Sequence, residues 1–184
     1  SLQEYLNFIP GLFSLNANNY AQDLRISIRG FGARSAFGIR GVKIIVDGIP
    51  ETTPDGQGQI DNLDVGSVER IEVLKGPSSA LYGNASGGII NISTPSNFDA
   101  DFIQAASSFG SFGFQQYQLQ GGAKTAKTRA LFQGSHTRTN GFRQQSALEN
   151  THVQGRIFHN FSEASRLNFQ VSYTDSPVAQ DPGS

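Results

Sequence analysis

The residues whose types and spacing could do chemistry are glycine-rich loops, oxygen-bearing turns and histidines. Gly30-Phe31-Gly32-Ala33-Arg34-Ser35 follows a predicted strand and has the outline of a dinucleotide loop. Its third glycine position holds Ser35, no helical pattern follows, and no acid closes a second strand at the required distance. Gly83-Asn84-Ala85-Ser86-Gly87-Gly88 lacks the Lys-Ser/Thr of a phosphate loop, so its glycines read as turn residues. Asp55-Gly56-Gln57-Gly58 is too poor in oxygen ligands for a calcium loop. Asn84-Ala85-Ser86 and Asn91-Ile92-Ser93 match the glycosylation tripeptide, a pattern common by chance, and the second lies in a predicted strand. His136, His152 and His159 all fall in strand-like sequence, with His152 and His159 on opposite faces of one strand, so they form no metal pair. No catalytic constellation assembles. The chain reads as a non-enzyme with no metal and no cofactor.

Composition narrows the classes further. The 184 residues contain no Cys, which removes disulfides, thiolate metal sites and a cysteine nucleophile. They contain no Met either, which reads as a processed chain or an excerpt. With 14 basic and 15 acidic residues the net charge is -1, giving no electrostatic support for a nucleic-acid partner. No apolar run is long enough for a transmembrane helix. A membrane β-barrel stays open, because its strands alternate and never show such a run.

The elements that must position any site change character near Pro95. Pro10, Pro50, Pro54, Pro77 and Pro95 precede the change, and the next proline is Pro177. Only Phe8, Phe13, Phe31 and Phe37 of the 14 phenylalanines come before it. A long proline-free stretch rich in Phe, Gln, Ser and Thr reads as sheet, and the domain boundary falls at Thr94–Asp99. Before it, apolar spacing predicts a helix over Ser1–Ile9, strands over Leu24–Ile28, Val42–Val46, Val68–Leu74 and Gly88–Ser93, and a short helix over Pro77–Tyr82. This is an α+β domain built on a small mixed sheet. Its segments Phe31–Gly41 and Glu51–Gln59 are long for turns, a mark of function.

After the boundary, five strands are expected near residues 102–109, 114–124, 128–138, 151–161 and 165–174. The last alternates without exception, Leu167, Phe169, Val171 and Tyr173 against Asn168, Gln170 and Ser172. Alternation alone fits a soluble sandwich with one solvated face as well as a membrane barrel. Five strands cannot close a barrel, which needs at least about eight.

One ordered set of motifs is more specific. Ile9-Pro10-Gly11-Leu12, Ile26-Ser27-Ile28-Arg29-Gly30-Phe31-Gly32, Ile45-Val46-Asp47-Gly48-Ile49-Pro50, Val68-Glu69-Arg70-Ile71-Glu72-Val73-Leu74-Lys75-Gly76-Pro77, Ser79-Ala80-Leu81-Tyr82-Gly83 and Gly87-Gly88-Ile89-Ile90-Asn91-Ile92 occur in sequence. Together they resemble the plug domain of TonB-dependent outer-membrane receptors, over residues 1–95. The resemblance implies that residues 96–184 are about the first five strands of a transmembrane barrel of about 22. The remaining strands and the TonB-contacting box would then lie outside this chain.

The resemblance implies import of a scarce solute, a ferric siderophore or other iron chelate first, across the Gram-negative outer membrane. The partners would be TonB at the periplasmic side, the solute and outer-membrane lipid, with no nucleic acid. It places Arg34, Arg40, Asp55, Gln57 and Gln59 on plug apices that meet ligand, the arginines by charge-assisted bonds to an anionic chelate. It makes Arg29 and Lys75, with Glu69 and Arg70, plug–barrel contacts. Lys75 stands where the family usually has Arg, and keeps the charge without the bidentate fork. The alternative, a soluble β-rich binding or adhesion module with a plug-like domain, requires the apolar strand faces to pack against each other.

Overall fold

The computed structural model describes residues 6–15, 19, 24–35, 38–53, 57–58, 60, 68–77, 79–83 and 85–181. Its contacts divide the chain into two units, Ser1–Pro95 and Ser96–Pro182.

The first unit is built around a four-stranded mixed sheet. Val42–Val46 (β4) runs parallel to Gly88–Ser93 (β8), with Ile49–Pro50 (β5) antiparallel outside β4 and Arg70–Lys75 (β7) antiparallel outside β8. Two smaller antiparallel pairs accompany it: Leu12–Leu15 (β1) with Arg25–Ile28 (β2), and Ile39–Arg40 (β3) with Gln57–Gly58 (β6). The central strands are fixed by burial. Val42, Ile44 and Val46 of β4 alternate inward, while Ile89, Ile90 and Ile92 of β8 are all buried, as expected of an interior strand covered on both faces. Leu12, Ile26, Ile28 and Ile39 bring the two small pairs into the same core.

The expected α+β character is corrected here. Among the described residues the unit is almost wholly β, and its named helix is one turn, Ser79–Tyr82 (α1). A four-residue turn set between Pro77 and Gly83 cannot offset the cost of helix nucleation and extend further. Of the helix expected over Ser1–Ile9, Leu6 and Asn7 are helical and Ser1–Tyr5 lie outside the described residues.

An unanticipated contact locks the end of β4. Asp47 and Gly48 both hold positive φ in the β4–β5 turn, and the Asp47 carboxylate accepts two hydrogen bonds from Thr94, from its N at 2.8 Å and its Oγ1 at 2.7 Å. Thr94 is 2% exposed, so losing the acceptor strands two buried donors. Asp47→Ala is expected to destabilise the β4–β8 pair by about 1–3 kcal/mol, read as faster amide exchange across Val42–Val46 and Gly88–Ser93 in the intact protein. Unchanged exchange there would show that the bond pair is dispensable.

The second unit is an antiparallel meander of Phe102–Phe109 (β9), Gln115–Lys124 (β10), Thr128–Thr139 (β11), Leu148–Asn160 (β12) and Arg166–Ala179 (β13), each pairing with the next. Register places Ile103, Gly121, Phe132, Gly155 and Val171 in one cross-strand row, and Ala105, Leu119, Gly134, Val153 and Tyr173 in the next. All the large apolar residues of these rows are exposed, Ile103 to 85% and Phe132 to 48%. The opposite face carries Gln104, Gln118, Gln133, Gln154, Arg156 and Ser172, of which Gln154 and Arg156 are buried. The usual order of a soluble sheet is therefore inverted. The apolar faces do not pack against each other as a soluble sandwich requires.

Cross-strand polar pairs stitch the sheet. His136, His152 and His159 each place Nδ1 within hydrogen-bond distance of a threonine hydroxyl on the neighbouring strand, Thr151, Thr174 and Thr128 respectively, at 2.8–2.9 Å. The segment entering β9 is held by the sheet. Arg129 Nη1 donates to Ser96 O at 3.1 Å and to Asn97 Oδ1, and Lys124 Nζ donates to Phe98 O at 3.1 Å. Among the described residues no helix is long and apolar enough to cross a membrane.

Candidate functional site

Among the described residues, those with potential for ligand chemistry that converge on one cavity lie in the first unit. Strand β2 ends at Ile28, and the chain turns back at once, with Ile28 N donating to Phe31 O (3.0 Å) and Phe31 N to Ile28 O (2.9 Å). Ala33 N then donates to Gly30 O and Ser35 N to Gly32 O, winding the segment that carries Arg34. Gly32 sits at φ 85°, where a Cβ would lie 2.7 Å from Ile26 O and 2.9 Å from Arg40 O. Only glycine lets this loop lie against both strands.

The pairing of β3 with β6 sets the second wall, because its register puts Arg40 directly opposite Gln57. Thr53 fixes β6 by donating its N and its Oγ1 to Gln57 O, each at 2.8 Å. The third wall is the approach to β8, where Gly87 N donates to Gly41 O at 2.7 Å and brings Ser86 alongside. These elements enclose a cavity of about 760 Å³, within the range of small-molecule sites, lined among others by Gly32, Arg34, Ser35, Arg40, Gln57 and Ser86.

Three of the five residues expected to meet ligand, Arg34, Arg40 and Gln57, therefore share one cavity. Asp55 and Gln59 lie outside the described residues. Arg34 and Arg40 are exposed on it. The one ion pair among the described residues is Arg70–Glu72, so no described carboxylate neutralises either guanidinium. Ser35 and Ser86 were not anticipated. Ser35 lies inside Phe31–Gly41, the segment whose length already marked it as functional, whereas the signal for Ser86 was the Gly87-Gly88 spacing, which reads as a turn alone. Glu51 lies next to Thr52, whose Oγ1 accepts from Ile44 N, and partial desolvation pushes its carboxyl up from the ordinary range.

Of the residues expected to contact a barrel, Arg29 and Lys75 both reach the Pro10-Gly11 turn, while Glu69 and Arg70 lie together at the start of β7. Arg29 is exposed at φ 50°, its backbone N donating to Gly11 O. Lys75 Nζ donates to Pro10 O at 2.5 Å. Arg70 pairs with Glu72 at 3.1 Å across two exposed side chains, a contact worth at most about 1 kcal/mol. Glu69 is exposed and anchored by its backbone to Ser93 O. Among the described residues no group of acids and histidines could hold a metal ion.

A mixed-sheet unit bearing a cationic cavity is thus followed in the chain by an antiparallel meander with one exposed apolar face. Residues 1–89 match the family model described as TonB-dependent Receptor Plug Domain. Over all of its length this chain is 27% identical to the vitamin B12 transporter BtuB of Vibrio vulnificus (strain CMCP6), of which it covers 31%. Among solved structures it is similar to the FrpB iron transporter from Neisseria meningitidis, at 20% identity and TM-score 0.73, covering 96% of this chain and 30% of that one. It is also similar to the pyoverdine outer membrane receptor FpvA from Pseudomonas aeruginosa PAO1, at 17% identity and TM-score 0.72, covering 95% of this chain and 25% of that one. The chain spans about a third of the length of the curated relative it matches, and its likeness to the solved structures is one of fold.

Proposed function

We propose that residues 1–95 form the solute-binding plug, and residues 96–184 the first wall strands, of a receptor that imports an anionic metal chelate, a ferric siderophore before other solutes. The observation that carries this reading is the convergence of Arg34, Arg40 and Gln57 on one open cavity. Two guanidiniums without a described counter-charge suit carboxylate, catecholate or hydroxamate oxygens, which accept charge-assisted hydrogen bonds. Backbone at Gly32 and Gly41 lets a ligand approach closely. TonB would engage the periplasmic side, and the apolar strand face would meet outer-membrane lipid. Arg29, Glu69, Arg70 and Lys75 would face carboxylates and polar groups of the wall, where removing one partner of a buried pair is costly.

The test is titration of the intact receptor with a ferric siderophore and, separately, with cobalamin. Arg34→Ala with Arg40→Ala is expected to weaken the ferric chelate by roughly 10²-fold, from loss of two charged hydrogen bonds of about 1.5–3 kcal/mol each, less what water recovers. Equal affinity in wild type and double variant would overturn the site. Binding of cobalamin with none of the chelate would overturn the substrate.

A further inference from the structure

Two glycines on the exposed apolar face have no structural reason to be glycine. Gly121 and Gly155 lie in strand interiors, neither at positive φ. A Cβ on Gly155 would meet nothing within 4 Å, and one on Gly121 would meet only ordinary contacts, the nearest Phe102 O at 3.4 Å. Glycine in such a place is less favourable than alanine, and marks a position where something else approaches the backbone. Both flank Phe132 in one cross-strand row, between Ile103 and Val171. The Phe132 ring does not fill the gaps, because it leans along its strand towards Gly134, whose Cβ position lies 3.6 Å from Phe132 Cζ. Ala123 and Ala130 extend the depression in the next row, with Ile157 and Phe169 beside them. The result is an apolar groove of about 840 Å³.

We infer that this groove seats an acyl chain of a membrane phospholipid. The inference rests on reading the inverted face as membrane-facing. The occupant follows from what bounds the groove, whose lining includes Asp101, accepting from Lys124 N at 2.8 Å, and the buried Arg156, with Lys124 and Arg166 exposed at the same end. Its apolar rows end at Thr128 and His159, hydrogen-bonded at 2.8 Å, and beyond them the short turn between β10 and β11 exposes Lys127. The next turn at that end exposes Glu163. Charges of both signs at this end, Lys124, Lys127 and Arg166 with Asp101 and Glu163, suit a zwitterionic headgroup such as phosphatidylethanolamine, phosphate towards the cations and ammonium towards the carboxylates, better than a polyphosphorylated glycolipid. The longest connection, residues 140–147, lies at the other end of the sheet. Short turns mark the periplasmic side of such walls, which is the phospholipid leaflet.

The test uses the intact receptor in nanodiscs of phosphatidylethanolamine carrying a photoreactive group within the acyl chain, with labelled peptides mapped after illumination. Labelling is expected to concentrate on the segments around Gly121, Phe132 and Ile157. In Gly155→Leu, whose side chain enters open space, it should fall about tenfold there, the loss expected when about two buried methylenes are displaced. Ala105→Leu, on the same face outside the groove, should leave it unchanged. Even labelling over Leu119, Val153 and the groove alike, or labelling that survives Gly155→Leu, would overturn the groove while keeping the membrane-facing reading. Cross-links to a second copy of the chain at the groove would overturn the lipid as occupant. No labelling anywhere on this face would overturn both.

Discussion

Replacing Gly32 by alanine is expected to open the ligand cavity and destabilise its walls by about 2–4 kcal/mol. Two costs act together. The residue sits at φ 85°, where an L side chain costs about 1–2 kcal/mol. The added Cβ would also lie 2.7 Å from Ile26 O and 2.9 Å from Arg40 O, both backbone atoms that cannot step aside without moving a strand. Gly30 separates the two costs, since it has the same φ of 85° with nothing within 4 Å of its Cβ position. Gly30→Ala should show the backbone cost alone. The measurement is amide exchange across Arg25–Ile28 and Ile39–Arg40 in the intact protein, paired with chelate affinity. Gly32→Ala should raise exchange in both strands and weaken binding, because Arg40 is carried by the backbone that must move. Equal effects of the two alanines would show that the close approach does not hold the cavity together.

What was legible in the sequence was whatever a periodic pattern carries. Val42–Val46 and Gly88–Ser93 came out with their observed bounds, since alternation in one and an unbroken Ile-Ile-Asn-Ile core in the other leave little choice. Where the pattern breaks, the reading fails for identifiable reasons. β12 starts at Leu148 and not at Thr151, because a register irregularity between Glu149 and Thr151 interrupts the alternation. β13 runs on through Pro177 to Ala179, which proline permits because it falls in the register irregularity between the Thr151–Asp175 and Glu149–Val178 pairs, where a ladder hydrogen bond is already missing. β1 was missed because Leu-Phe-Ser-Leu is too short to show a period beside Pro10-Gly11.

The site was legible as residue types but not as a place. Arg34, Arg40 and Gln57 were singled out through motif resemblance, yet nothing local announces that Arg40 lies opposite Gln57. That contact is made by two-residue strands 17 positions apart, each too short to carry a signal. The Asp47–Thr94 lock escaped for the same reason, since its partners are separated by 47 residues. The inversion of the strand sheet was written in the sequence as plain alternation. Only the burial of Gln154 and Arg156 against the exposure of Phe132 and Val171 says which face is which.

Adjacent residues on one strand test that inversion. Leu119 points to the apolar face and Gln118 to the polar face of β10. If the apolar face meets lipid, Leu119→Arg should cost roughly 2–4 kcal/mol near the bilayer midplane, less towards its edges. Gln118→Arg, on the polar face, should stay within about 0.5 kcal/mol. If the face were solvated, Leu119→Arg would be neutral or would improve solubility. The measurement is the urea dependence of folding of the intact receptor into phospholipid vesicles, followed by its heat-modifiable migration on gels. A lower folding midpoint is expected for Leu119→Arg alone; equal midpoints for the two arginine variants would contradict a lipid-facing apolar side.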